Sequence, residues 1–111
     1  MAIYIDPLGH YGMIIRGRTT RSCHMWTDGN PEELHEFAER IGMKRAWYQH
    51  ELDKLPHYDL TEGRRYRAVA LGAIELSRGE AGRLWRDLKA AGLFKKESLN
   101  EVLEDTSLEM V

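Results

Sequence analysis

Two helix-start signatures, Asn30-Pro31-Glu32-Glu33 and Ser77-Arg78-Gly79-Glu80, constrain this chain more than any other feature. Each sets a side-chain acceptor ahead of a first turn whose amides lack helical partners, with a Glu three residues on that can reach back to the cap. Pro31 adds a pre-set φ at the first helical position. Leu34, Phe37, Ala38 and Ile41 follow the first signature at helical spacing, and Ala81, Leu84, Trp85, Leu88 and Ala91 follow the second. Gly42 and Gly92 suit the left-handed residue that ends a helix. Thr61 predicts a further cap, for a helix running through Leu71 to Gly72. Between the helices lie short β-rich runs: Ala2 to Ile5, closed by Asp6-Pro7; Ser22 to Thr27, ended by Asp28-Gly29; Arg45 to Tyr48; and Ala73 to Leu76. Glycines at 9, 12 and 17 predict a loop or loose hairpin between Leu8 and Arg21, and Gln49 to Asp59, with Pro56, reads as a polar loop. Strands alternating with helices predict an α/β fold, a small mostly parallel sheet flanked by helices, with ligands beyond the carboxyl ends of the strands.

With 111 residues the chain has room for one core, so a single domain is expected over residues 1–94, followed by an acidic tail or frayed helix over 95–111. Sixteen basic against eighteen acidic residues leave a formal charge of −2. A body of that charge does not attract extended nucleic acid, so any phosphate-binding surface must be local. One cysteine, Cys23, excludes an intramolecular disulfide framework, and no apolar leader opens the chain. A cytoplasmic location is the expectation. No apolar run approaches the ~18 residues of a membrane-spanning helix.

The chemistry-bearing residues fall into three groups. His57, Tyr58 and Asp59 place an imidazole, a phenol and a carboxylate in consecutive positions just before the Thr61 cap. His57 can bind a metal or move a proton, Asp59 can orient an imidazole or hold a cation, and Tyr58 can stack on a base. A plainer use is equally open, with Asp59 helping to cap the helix and the two rings half-buried. His24, Trp26 and Asp28 share one face of a strand by their even spacing, and Asp6 joins them at the carboxyl edge if the two strands are parallel. Asp6, His24, Asp28, His57 and Asp59 would then frame a divalent cation, although surface polar residues and one satisfied core histidine would account for them as well. Arg64 and Arg65, after the Thr61 cap, suit a phosphate or carboxylate, or simply solvate a helix face. His35 lies outside the apolar stripe of its helix and is expected on a solvated face. Cys23 and His24 point to opposite faces of a strand, which argues against a covalent mechanism. A phosphate loop with its lysine, a dinucleotide fingerprint, a nucleophile elbow and paired zinc cysteines are all missing.

In order, Ile3-Tyr4-Ile5-Asp6, His24 and Asp28 ahead of Glu33-Leu34-His35-Glu36-Phe37-Ala38, then His57-Tyr58-Asp59-Leu60 and Ala70-Leu71-Gly72-Ala73, form a series. It resembles the domain of unknown function 4031 family of small bacterial and phage proteins, from the first strand through Gly92. The chain departs from that pattern by a longer loop between Asp6 and His24 and by the insert-like Glu51 to Leu55. The resemblance implies no assigned activity. Relatives that carry the domain beside an HD-type phosphohydrolase domain point, by association, toward nucleotides or phosphoesters.

Three readings stay open. In the first, the protein binds a phosphorylated small molecule, with a nucleotide as the first choice and no cofactor required. His24 and His57 belong to that ligand site, Arg64 and Arg65 meet the phosphate, and Tyr58 or Trp26 stacks on the base. In the second, a cation held by the histidines and aspartates serves a phosphoester hydrolase, with His57 and Asp59 as its catalytic candidates. In the third, the acidic tail and the Trp85 helix mediate assembly, including assembly of a homo-oligomer.

Overall fold

The computed structural model describes residues 2–51 and 55–91. The acidic tail expected over 95–111 and the closing Gly92 lie outside them. Strand β1 (Ile3–Ile5) leads into a long connection that carries a small hairpin, β2 (Ile14–Ile15) and β3 (Arg18–Thr19). Strand β4 (Ser22–Thr27) follows, then helix α1 (Pro31–Arg40), a 3₁₀ turn (Arg45–Trp47) and β5 (Tyr58–Thr61). Helix α2 (Glu62–Ala70), β6 (Ile74–Glu75) and α3 (Arg78–Ala90) complete the fold.

The caps sit where the sequence puts them, although the return bond expected from Glu33 to Asn30 is not formed. Asn30 Oδ1 accepts from the Glu32 amide and Thr61 Oγ1 from the Arg64 amide, while Ser77 and Glu80 exchange both bonds of a capping box. Gly42 at φ +86° and Gly72 at φ +105° end α1 and α2 in the left-handed region, where a Cβ would be strained.

The main sheet has the order β5-β4-β1-β6, with β4 antiparallel to both β1 and β5 and only β1 and β6 parallel. The expectation of a mostly parallel sheet is therefore overturned. A parallel neighbour needs a crossover, usually helical, yet the chain passes from β1 to β4 through the β2–β3 segment with no helix between them. Two local expectations also fail. Residues 45–47 form a 3₁₀ turn where a strand over 45–48 is expected, with Lys44 and Arg64 placed over the Trp47 ring. The supposed loop 49–59 ends inside a strand, since Tyr58 and Asp59 pair with Met25 and His24.

Helices cover both faces of the sheet. Ile3, Ile5, Cys23, Met25, Tyr58 and Leu60 pack on Leu34, Phe37 and Ala38 of α1 and Ala68 of α2. The opposite face is smaller, with Trp26 and Tyr4 against Ala81, Leu84, Trp85 and Leu88 of α3. No helix among the described residues is long and apolar enough to cross a membrane.

Candidate functional site

Strand alternation sorts the polar residues. With Ile5, Met25 and Tyr58 turned toward α1 and α2, their neighbours Asp6, His24, His57 and Asp59 turn toward α3. Register does the rest. Ile5 pairs with Met25, so Asp6 arrives beside His24, and His24 pairs directly with Asp59. Asp6, His24 and Asp59 thus form one row across three strands, with His57 beside it. The site lies where β1 ends and α3 begins.

The hydrogen bonds fix which atoms remain for chemistry. Asp6 holds His24 twice: Oδ1 accepts from the backbone N–H at 2.6 Å, and Oδ2 accepts from ring Nδ1 at 2.8 Å. His57 Nδ1 donates to the Leu55 carbonyl at 2.7 Å, and because a carbonyl only accepts, the proton sits on Nδ1. Both rings therefore turn Nε2 toward the same oxygen, Asp59 Oδ1, at 3.8 Å from His24 and 3.3 Å from His57. The other Asp59 oxygen accepts from the Gln49 side-chain amide. One ligand atom each from His24, His57 and Asp59 lies within 4.8 Å of the others. Burial pushes the Asp59 carboxyl up, but an added proton on the facing His57 Nε2, the Gln49 amide and positive charge on His24 outweigh it and hold the group below the usual carboxylate value.

Aromatic rings wall this cluster. Trp85 of α3 stands 5.4 Å from the His24 ring and 5.8 Å from His57, and Tyr11 stands 4.7 Å from His24. The Tyr11 ring can lie there because residue 9 is glycine, where a Cβ would come within 2.9 Å of it. A cavity of about 200 Å³ opens beside the row, bounded by Asp6, Tyr11, His24, Arg78, Ala81 and Trp85.

Of the residues singled out by sequence, Asp6, His24, His57 and Asp59 converge, and the others do not. Asp28 follows the end of β4, and because β4 runs against β1 that end lies away from Asp6; it accepts from the Tyr4 hydroxyl at 3.0 Å. Trp26 and Tyr58 are both 0% exposed, so neither ring offers a face to a base. Tyr58 belongs to the α1–α2 side, opposite its sequence neighbours, and its hydroxyl meets His35 Nδ1 at 2.6 Å. Arg65 is engaged on that side as well, donating to the Asp6 carbonyl at 3.1 Å and to Glu75 at 3.2 Å. Arg64 stacks over Trp47 and lines a separate groove with Gln49 and Asp59. Cys23 is buried across the sheet from His24, and burial, with the Asp6 charge, pushes its thiol up to about 12, which leaves it inert as a nucleophile.

Sequence reasoning missed Gln49, Tyr11 and Arg78. Arg78 was hidden inside a capping signature and Tyr11 in a glycine-punctuated loop. The i, i+2 spacing of His57 and Asp59 was the one usable sign that this segment is a strand with both side chains on one face.

His35 is also not on a solvated face. Its ring packs 4.5 Å from Tyr48, and burial, followed by the Arg45 charge, lowers its pKa. The folded state favours the neutral ring, so its stabilisation is complete above the ordinary histidine value of ~6.5 and is lost as pH falls through the lower folded value. Urea midpoints measured between pH 7 and pH 5 should fall with acidification, and His35→Gln should flatten that fall. An equally steep profile in the variant would assign the effect to other groups.

No curated protein and no solved structure matches the chain. One family profile does match, over residues 3–88, a span that contains all four convergent side chains and most of α3. The chain belongs to the family described as protein of unknown function (DUF4031).

Proposed function

We propose that this protein is a divalent-cation-dependent phosphoester hydrolase whose cation is held by His24, His57 and Asp59. The observation that carries the reading is the approach of two Nε2 atoms, with their Nδ1 protons already committed, to one carboxylate oxygen. Three acceptors turned on one point repel each other unless a cation or an added proton sits among them. The 3.3 Å separation equals the roughly 3.3 Å edge of a tetrahedron with ~2.0–2.1 Å bonds, and the 3.8 Å one is about 0.5 Å wider. Two imidazoles and a carboxylate suit Zn²⁺, Mn²⁺ or Fe²⁺, and three protein ligands leave a position for water. A cation there supplies an acidified water and a Lewis-acid contact for a phosphoryl oxygen. The chain's own residues do the positioning. Asp6 fixes the ring and tautomer of His24, the Leu55 carbonyl does the same for His57, and Gln49 holds the second Asp59 oxygen. The nucleotide-binding reading keeps His24 and His57, but Trp26, Tyr58 and Arg65 are committed elsewhere and Arg64 borders a different groove.

Metal-free protein should take up Mn²⁺ or Zn²⁺ in a calorimetric titration and should hydrolyse bis-4-nitrophenyl phosphate or nucleotides only when loaded. Chelator should abolish turnover. A His57→Ala, Asp59→Ala double variant that keeps its circular dichroism should lose cation binding by more than ~100-fold and turnover to background. Wild-type protein that takes no divalent cation, or binds nucleotide without turnover and regardless of chelator, would overturn the proposal.

A further inference from the structure

The cavity beside the triad has a charge pattern of its own. Its walls are mostly apolar, Pro7, Tyr11, Ala81 and Trp85, and two charged side chains reach it, Asp6 and Arg78. Both Asp6 oxygens are already taken by His24. The Arg78 side chain is exposed and forms no hydrogen bond or ion pair among the described residues. The charged donor left without a partner at this cavity is therefore Arg78, whose fixed guanidinium fork best matches phosphate oxygens. At about 200 Å³ the space falls below the ~300–1,000 Å³ of pockets that bury drug-sized ligands, which limits the occupant to one ring and a short polar group. Tyr11 and Trp85 give the walls aromatic surface for that ring. Gly82 keeps the α3 wall flat: it lines the cavity, and a Cβ built on it meets nothing within 4 Å.

We infer that this cavity is a subsite for a small organic monophosphate carrying a single flat ring, with Arg78 binding the phosphate and Tyr11 and Trp85 flanking the ring. As a substrate subsite the inference rests on the hydrolase reading of the triad. As a binding site it stands on the cavity and Arg78 alone, and that difference makes the two separable.

The probe is 4-nitrophenyl phosphate, titrated calorimetrically with and without chelator, beside inorganic phosphate as the ring-free control. Arg78→Ala should weaken the aryl phosphate at least ~10-fold in both conditions while leaving cation affinity unchanged. Gly82→Leu, which puts a side chain into the cavity and removes a helix-interior glycine, should keep the fold and weaken the aryl phosphate by a similar factor. Inorganic phosphate should respond to Arg78→Ala and not to Gly82→Leu. Arg78-dependent binding to a protein that takes up no cation would sink the hydrolase and leave the subsite standing. Cation uptake and turnover in a protein whose aryl-phosphate affinity is absent, or is unaffected by Arg78→Ala, would do the reverse.

Discussion

Trp26→Ala should lower the unfolding free energy by about 3–5 kcal/mol, the usual cost of emptying a large aromatic position in a core. Against a total of roughly 5–15 kcal/mol for a domain, that removes about a fifth or more of the stability. The reason is local. Among the described residues Trp26 is the only fully buried side chain of the smaller core, meeting Trp85 edge-on at 5.5 Å and 89° and standing 6.1 Å from Tyr4. Without it, α3 loses the surface that holds it to the sheet, and with α3 goes the Trp85 wall of the site. Urea unfolding is the measurement, and a change below ~1 kcal/mol would show that α3 is held by other contacts. Trp26→Phe keeps most of the buried ring and should cost less, with the aryl-phosphate affinity retained. A loss of that affinity in a stable Trp26→Phe protein would return the indole to the ligand site.

Asp6→Asn should reduce cation affinity by ~10–100-fold or more with little change in melting temperature. The substitution is almost isosteric, so its effect comes through proton placement. The His24 backbone N–H only donates, and it keeps the amide oxygen of Asn on its side. The amide NH₂ must then face Nδ1, which becomes an acceptor and pushes the ring proton to Nε2. That proton covers the atom offered to the cation, and Nε2–H is free to donate to Asp59. Nitrogen chemical shifts of His24 report the tautomer directly. An Asn variant with the proton still on Nδ1 and unchanged affinity would show that Asp6 plays no part in positioning the ring.

The parts of the fold written in local physics were legible in the sequence. Asn30, Thr61 and Ser77 mark helix starts through hydrogen bonds made within one turn, and β4 lies at Ser22 to Thr27 as its β-rich run predicts. The opposition of Cys23 and His24 followed from alternation alone. What depends on where the chain returns was not legible. Nothing within β1 or β4 says whether they pair parallel or antiparallel, and that choice decided the fate of Asp28. The same limit hid Gln49, which reaches Asp59 because residues 49 and 57 bridge. His57-Tyr58-Asp59 has the look of a dense loop because Pro56 precedes it. In a strand, alternation alone sends Tyr58 to the face opposite both of its neighbours.

The row formed by Asp6, His24 and Asp59 turns strand pairing into a kind of combination lock. A slip of one residue between β4 and β5 would carry Asp59 to the face of Cys23 and leave His24 opposite an apolar side chain. Such a slipped sheet still has backbone bonds to make, but it has no place to coordinate an ion. A cation that binds only the correct pairing adds its binding free energy to that state alone, about 2.7 kcal/mol when free ion is a hundred times its dissociation constant. The ion would then act as a proofreader of assembly before it acts as a reagent, rewarding one alignment of residues far apart in the chain over its near neighbours.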